Sequence, residues 1–243
     1  MKPDPRPLAL RFQRTVADAV LSLVNGFFDR YTGGRRRPAF FAVAATVPPL
    51  KALTDRWRDI QEEVDTMLAD GAQFPRYHEL DPHIARISQN DDPSKSWRVF
   101  LLYAMGEIPE DARRRAPRTL GLLEGLPGLY QAFFSVLAPG TSVPAHEGPY
   151  RGYLRYHLGL RVPKDNPPFI RVLDRNHVWK EGEDVLFDDS WDHEVVNSSK
   201  ERRVVLIVDV LRPLPAFPAA VNRWFVRRVI HPLYARQLIR NLR

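Results

Sequence analysis

The sequence predicts a mainly β domain with flanking helices, and three observations carry that expectation. From Trp97 onward the chain falls into short apolar runs of strand length: Trp97 to Tyr103, Gln131 to Leu137, Tyr153 to Leu158 and Arg202 to Val210. Turn signals separate them, at Pro139-Gly140, at Pro163 to Pro168 and at Lys180 to Asp184 with Gly182. Before Trp97 the apolar period is instead three to four residues, the spacing of helices. A series of short strands closed by turns suits a double-stranded β-helix, a jelly-roll barrel over roughly Ser96 to Pro213, with helices from the N-terminal part packed on it.

Residues 1–7 carry three prolines and read as irregular. From Leu8 to Asp29, Phe12, Val16, Ala19, Val20, Leu23, Val24 and Phe27 form the apolar stripe of an amphipathic helix, which Gly33-Gly34 ends. Arg35, Arg36 and Arg37 follow. Two readings of this segment stand: packing on the domain, or a membrane-surface element with the arginines on lipid phosphates. Pro48 or Pro49 opens a second helix, with Leu50, Leu53, Trp57, Ile60, Val64 and Leu68 on its core stripe and Asp70-Gly71 closing it. Prolines and aspartates between Phe74 and Asp92 predict loops, and Thr119 to Leu126 a short helix. Arg113 to Arg115 is a solvated face. The tail from Asn222 carries six arginines interleaved with Trp224, Phe225, Val229, Ile230, Leu233, Leu238 and Ile239, without an acidic residue, and Pro232 breaks it. The organisation expected is 1–49 as helix and basic linker, 50–213 as the barrel domain and 214–243 as a basic amphipathic tail.

At 243 residues, 44% of them hydrophobic, the chain can bury a sizeable core. The absence of cysteine excludes a disulfide framework and thiolate metal sites, which leaves His and carboxylates as strong ligands. A formal charge of +7 suggests acidic partners: nucleic acid, an anionic membrane surface or an anionic substrate. No apolar run is long enough to span a bilayer, and Arg11, Arg14 and Asp18 interrupt any secretory pattern. The expected compartment is the cytoplasm, with peripheral attachment to the inner face of the membrane open.

In Tyr153 to Leu158 a period of two puts Arg155 and His157 on one face, with Leu154, Tyr156 and Leu158 on the other. In the last run Arg203 shares a face with Val205 and Ile207. If both faces of that strand are covered, Arg203 is buried, and a buried guanidinium needs an anion. A small carboxylate fits, because the planar fork grips it with two bonds. His146 and His193 flank this region, so a metal beside an anion pocket is the pattern suggested.

The phrases SVLAPGTSVPAHEGP, LRYHLGLRVP, WKEGEDVLFDDSWDHEV and RRVVLIVDVLRP resemble, in order and spacing, the aspartyl/asparaginyl β-hydroxylase family of Fe(II)- and 2-oxoglutarate-dependent dioxygenases, which also holds lipid A hydroxylases. They run across about a third of the chain, from Ser135 to Pro213. WRDIQEEVDTML and WRVFLLYAMG extend a weaker similarity upstream. The resemblance implies a cupin-like barrel, with His146 and His193 as iron ligands. It also implies 2-oxoglutarate held by Arg203, with Ser135, Arg155 and His157 as its further contacts. The usual third ligand stands two residues after the first His, and here that residue is Gly148; the aspartyl/asparaginyl branch resembles this in working with two His. Glu147 faces away by strand parity. Asp188 and Asp189 are expected to cap the turn or brace a neighbouring group.

The reaction so implied consumes O2 and 2-oxoglutarate and hydroxylates an unactivated carbon. The compact length and basic amphipathic termini favour a lipid acyl chain at a membrane surface, while Gly148 favours peptidyl Asp or Asn. Two further classes stay open: a non-catalytic barrel binding anionic lipid or nucleic acid, and a cupin-like zinc hydrolase. The first would not need His146, His193, Arg155 and Arg203 together, and a nucleic-acid partner is not expected. The second wants a third protein ligand and a general base.

Overall fold

The computed structural model describes residues 8–242 apart from Asp91 and Pro93, with side chains described from Asp18 onward. Residues 1–7 and the side chains of Phe12 and Val16 therefore lie outside the described residues. In chain order the strands are β1 (Phe40–Phe41), β2 (Trp97–Ala104), β3 (Leu129–Leu137), β4 (Thr141–His146), β5 (Tyr153–Arg161), β6 (Phe169–Val172), β7 (Arg175–Val178), β8 (Asp184–Phe187), β9 (His193–Asn197) and β10 (Arg203–Leu211).

Two antiparallel sheets result, one of six strands in the order β1-β8-β5-β10-β3-β2 and one of four in the order β4-β9-β6-β7. Apart from the β6–β7 hairpin, which lies within the smaller sheet, strands β3 to β10 alternate between the sheets so that β3 pairs with β10 and β4 with β9, the wrapping of a double-stranded β-helix. β1 and β2 extend the larger sheet at its two edges.

The period of two decides where each side chain goes. From β5 and β10, Leu154, Tyr156, Leu158, Val204, Leu206, Val208 and Val210 point away from the smaller sheet. They pack on Ile60, Val64 and Met67 of the Trp57–Ala69 helix and on Leu120 and Leu123 of the Pro117–Glu124 helix. The alternate residues, among them Tyr153, Val205 and Ile207, face Val143, Ile170, Val172 and Val195 of the smaller sheet. The inner space between the sheets therefore receives Arg155, His157 and Arg203, as parity predicts.

The helices differ from expectation in three places. The second helix is broken at Arg56 into Lys51–Asp55 and Trp57–Ala69, after a single turn of 3-10 helix at Pro48–Leu50. The stretch expected as loop forms short helical turns at Tyr77–Leu80, Pro82–Ile84 and Ala85–Ser88, the first anchored by Tyr77 packing on Trp97 and Phe133. Pro232 does not break the tail. Ala216–Phe225 continues through a π-helical stretch, Val226–Ala235, into Arg236–Asn241, and the wider turn tolerates the missing N–H of Pro232. The tail lies against the domain through Phe225, Val226, Ala235 and Leu238, and Asn241 donates to the carbonyl of Leu80. The N-terminal helix, Leu8–Thr32, joins the same core through Phe28.

Candidate active site

β4 and β9 are neighbours, and their register sets His146 opposite His193 with ring centroids 4.1 Å apart. Each Nδ1 lies against a carbonyl two residues back, His146 on Pro144 at 2.8 Å and His193 on Trp191 at 2.9 Å. A carbonyl only accepts, so both Nδ1 atoms carry the proton and both Nε2 lone pairs are free. Burial pushes the pKa of each ring down to about 4, helped at His146 by the charge of His193, so both are neutral at pH 7. Two neutral imidazoles with fixed tautomers are a donor set suited to a divalent transition metal.

Among the described residues no third His, Cys, Asp or Glu completes a cluster with them. Gly148 contributes no donor and has no room for one: a Cβ built on it would lie 2.6 Å from Cγ of Asp189. The Gly148 N–H donates to the Asp189 carbonyl at 2.8 Å, which fixes this close approach. Glu147 points to solvent.

Ser135, His157 and Arg203 stand on the inner face of the larger sheet. Arg203 is buried, and its Nη2 donates to Ser135 Oγ at 3.1 Å, an oxygen that also accepts from Trp97 Nε1 at 2.9 Å. Its Nε and Nη1 have no partner. The guanidinium lies over Trp179, 4.8 Å from the ring centroid, and burial alone pulls its pKa down to about 9. His157 stacks on the same indole at 5.7 Å, and both of its nitrogens and Trp179 Nε1 are buried without partners. Buried polar groups normally find partners, so these unpaired atoms of Arg203, His157 and Trp179 form one polar cluster inside the barrel. His157 meets Phe187 edge to face at 5.0 Å, and Phe187 in turn abuts His193 at 5.8 Å, so this polar cluster is linked to the histidine pair through Phe187. A cleft of about 400 Å³ along β1, β7 and β8, lined by Phe40, Arg175, His177 and Val185, adjoins them through the Phe40–Phe187 contact.

Arg155 shares the inner face, but its guanidinium is already engaged. Asp209 takes its Nε and Nη2 at 2.8 Å each, and Asp189 Oδ2 lies 3.1 Å from Nη1. Tyr153 donates to the same Asp189 oxygen at 2.7 Å. Burial raises the carboxyl pKa of Asp209 to about 6 and pushes Asp189 up as well, against the pull of Arg155. Sequence reasoning missed Asp209, Tyr153 and Trp179. Parity held the signal for Asp209, which lies two residues beyond Ile207 on the face of Arg203.

Asp188 and Asp189 divide the bracing expected of them. Asp188 caps its turn by accepting from Ser190 N and Oγ, and it pairs with Arg37 at 2.9 Å and Arg212 at 2.5 Å. Arg37 is therefore buried and turned inward, over Trp191 at 3.6 Å, and is not available to lipid phosphates; Arg35 and Arg36 are exposed.

Residues 54–213 match the family model of the aspartyl/asparaginyl β-hydroxylases. The chain belongs to that family. It is 35% identical over 181 residues to an ornithine lipid ester-linked acyl 2-hydroxylase from Rhizobium tropici, covering 74% of this chain and 63% of that protein. It is 33% identical over 171 residues to the human aspartyl/asparaginyl β-hydroxylase, covering 68% of this chain and 21% of that one. The chain thus spans less than two thirds of either relative. Among solved structures, a cupin domain of an XRE-family transcriptional regulator from Enterobacter cloacae aligns over 48% of this chain and 98% of its own, at 14% identity and a TM-score of 0.34. Among the described residues no helix of this family member is long and apolar enough to cross a membrane.

Proposed function

We propose that this hydroxylase depends on Fe(II) and 2-oxoglutarate and acts on an acyl chain of a lipid at a membrane surface. The observation that carries the cofactor reading is one juxtaposition. Two imidazoles with free Nε2 atoms are linked, through the ring contacts of Phe187, His157 and Trp179, to a buried Arg203 whose Nε and Nη1 have no partner. His146 and His193 would hold the iron, neutral and oriented by the Pro144 and Trp191 carbonyls. Bound iron with 2-oxoglutarate would supply oxygen activation, one oxygen atom going to the substrate carbon and the other to succinate as CO2 leaves.

The chain's own residues do the remaining work. Arg203 grips the distal carboxylate by charge-assisted bonds, held in place by Ser135 and by the face of Trp179. His157 offers a second polar contact on the same side. Arg155, pinned by Asp209 and Asp189, acts as a fixed positive charge under the site rather than as a free fork. The packed aromatic wall of Trp179, Phe187 and Tyr153 keeps water from the reacting carbon.

The relative from Rhizobium tropici is named for hydroxylating an ester-linked acyl chain, which supports a lipid substrate. A second reading, β-hydroxylation of peptidyl Asp or Asn, is favoured by Gly148 at the third-ligand position and by the human relative's name. Incubation with Fe(II), 2-oxoglutarate and O2 decides between them. A gain of one oxygen in the mass of a membrane lipid supports the first, and the same gain in an Asp- or Asn-containing peptide the second. Absence of succinate release under any of these conditions, uncoupled turnover included, would overturn the cofactor assignment.

A further inference from the structure

The two terminal helices turn apolar side chains outward where they touch each other. On the Leu8–Thr32 helix, Val20, Leu23, Phe27 and Tyr31 recur at steps of three and four and form one stripe; Leu23 is 76% exposed. On the Ala216–Phe225 helix, Phe217 and Trp224 stand two turns apart on one side and are 65% and 60% exposed. Phe27 and Phe217 meet edge to face at 6.1 Å, which joins the stripes into one surface. Arg30, Arg35, Arg36, Arg223 and Arg228 are exposed, and none forms an ion pair among the described residues. Residues 214–243 hold no acidic side chain.

The inward sides of these helices hold the segment that follows His146. Phe28 packs on Tyr150 at 5.8 Å, and Tyr150 on Phe225 at 5.7 Å. Asn25 donates to the Pro149 carbonyl and accepts from Arg151 N, both at 2.9 Å, and Asp29 pairs with Arg151. From the other helix Asn222 accepts from the Tyr150 hydroxyl at 2.5 Å and donates to the Gly152 carbonyl at 2.6 Å. Each helix is thus tied to the stretch between β4 and β5.

We propose that this two-helix face seats on an anionic lipid bilayer and holds the mouth of the two-histidine site at the lipid surface, a docking mode that rests on the lipid reading of that site. Charge complementarity selects the occupant. Unpaired guanidiniums around exposed aromatic and aliphatic side chains match a layer with anionic headgroups above apolar chains, and aromatic rings favour that boundary.

The test is sedimentation of the full chain with phosphatidylcholine vesicles, with and without phosphatidylglycerol, at low and high salt. The expected result is binding to the anionic vesicles that weakens as salt rises. Leu23→Ser with Trp224→Ser should lower partitioning about tenfold or more. Arg35→Gln with Arg36→Gln should lower it by about fivefold per charge. Circular dichroism and succinate release should be unchanged in both variants. A wild-type chain that stays in the supernatant, variants that bind as well as the parent, or a dimer in solution that binds no vesicle overturns the proposal. Lipid hydroxylation is assayed separately in detergent micelles. Hydroxylation without vesicle binding overturns docking alone; vesicle binding without hydroxylation supports docking and removes the substrate reading.

Discussion

The carboxylate of Asp189 fills the space that a side chain at Gly148 would occupy. A Cβ on residue 148 would stand 2.6 Å from Cγ and Oδ2 and 2.7 Å from Oδ1 of Asp189. On the two-histidine reading of the site, the place of a third ligand is thus filled by a buried carboxylate from the β8–β9 connection, itself held by Tyr153 and Arg155.

Restoring the ligand by Gly148→Asp should therefore fail. Overpacking of this kind typically destabilises by about 1–3 kcal/mol, and the new carboxylate would also face Asp189. We expect a lower melting temperature and no gain in iron affinity, with the stability recovered when Asp189→Gly is added. A single variant as stable as the parent and tighter for iron would refute the steric account.

His146→Ala and His193→Ala should each abolish iron binding and 2-oxoglutarate turnover, while Glu147→Ala, at an exposed position, should keep most of both. Iron titration of the three variants checks this. Equal loss in all three would mean that Glu147 reaches the metal.

Arg203→Met should move affinity and stability in opposite directions. Removing one partner of a desolvated carboxylate pair costs about 2–5 kcal/mol, roughly 30- to several-thousand-fold in the 2-oxoglutarate constant. Without ligand, however, the guanidinium is buried with Nε and Nη1 unpaired. An apolar side chain of similar length should then raise the stability of the ligand-free protein by about 1–3 kcal/mol. Calorimetric titration and denaturant unfolding of the same variant measure both.

The metal-free protein should lose stability in acid through its histidine pair. Each ring has its pKa held at about 4 in the folded chain against 6.5 when unfolded. Above pH 6.5 neither state binds these protons and the contribution is flat. Between pH 6.5 and 4 the unfolded chain takes up protons that the folded one refuses, so stability falls as pH falls, by up to about 3 kcal/mol per ring. Urea unfolding from pH 8 to 4.5 should show that slope in the parent and a shallower one in His193→Gln.

What the sequence could disclose was set by range. Parity within one strand brought Arg155, His157 and Arg203 to the inner face, because the period of two follows from the backbone alone. Whether those cations were free was a different matter. Arg155 is claimed by Asp209, 54 residues away, and Arg37 by Asp188, 151 residues away. A run of three arginines gave no sign that its last member turns inward. The turns between Tyr77 and Ser88 were unreadable for a related reason: four-residue helices carry no periodicity, and this one exists because Tyr77 packs on Trp97 and Phe133. Pro232 misled because a proline's effect depends on whether the helix widens to admit it.

Trp179 has a use that its packing alone would not suggest. The indole is buried, its Nε1–H is unpaired, one face carries a guanidinium at 4.8 Å and His157 stacks at 5.7 Å. Its emission depends on the local electric field, and a dicarboxylate arriving at Arg203 would reverse much of that field. The difference spectrum between the parent and Trp179→Phe would then report pocket filling directly, without label, coupled assay or turnover, and would separate molecules that enter the pocket from those that only strip the metal.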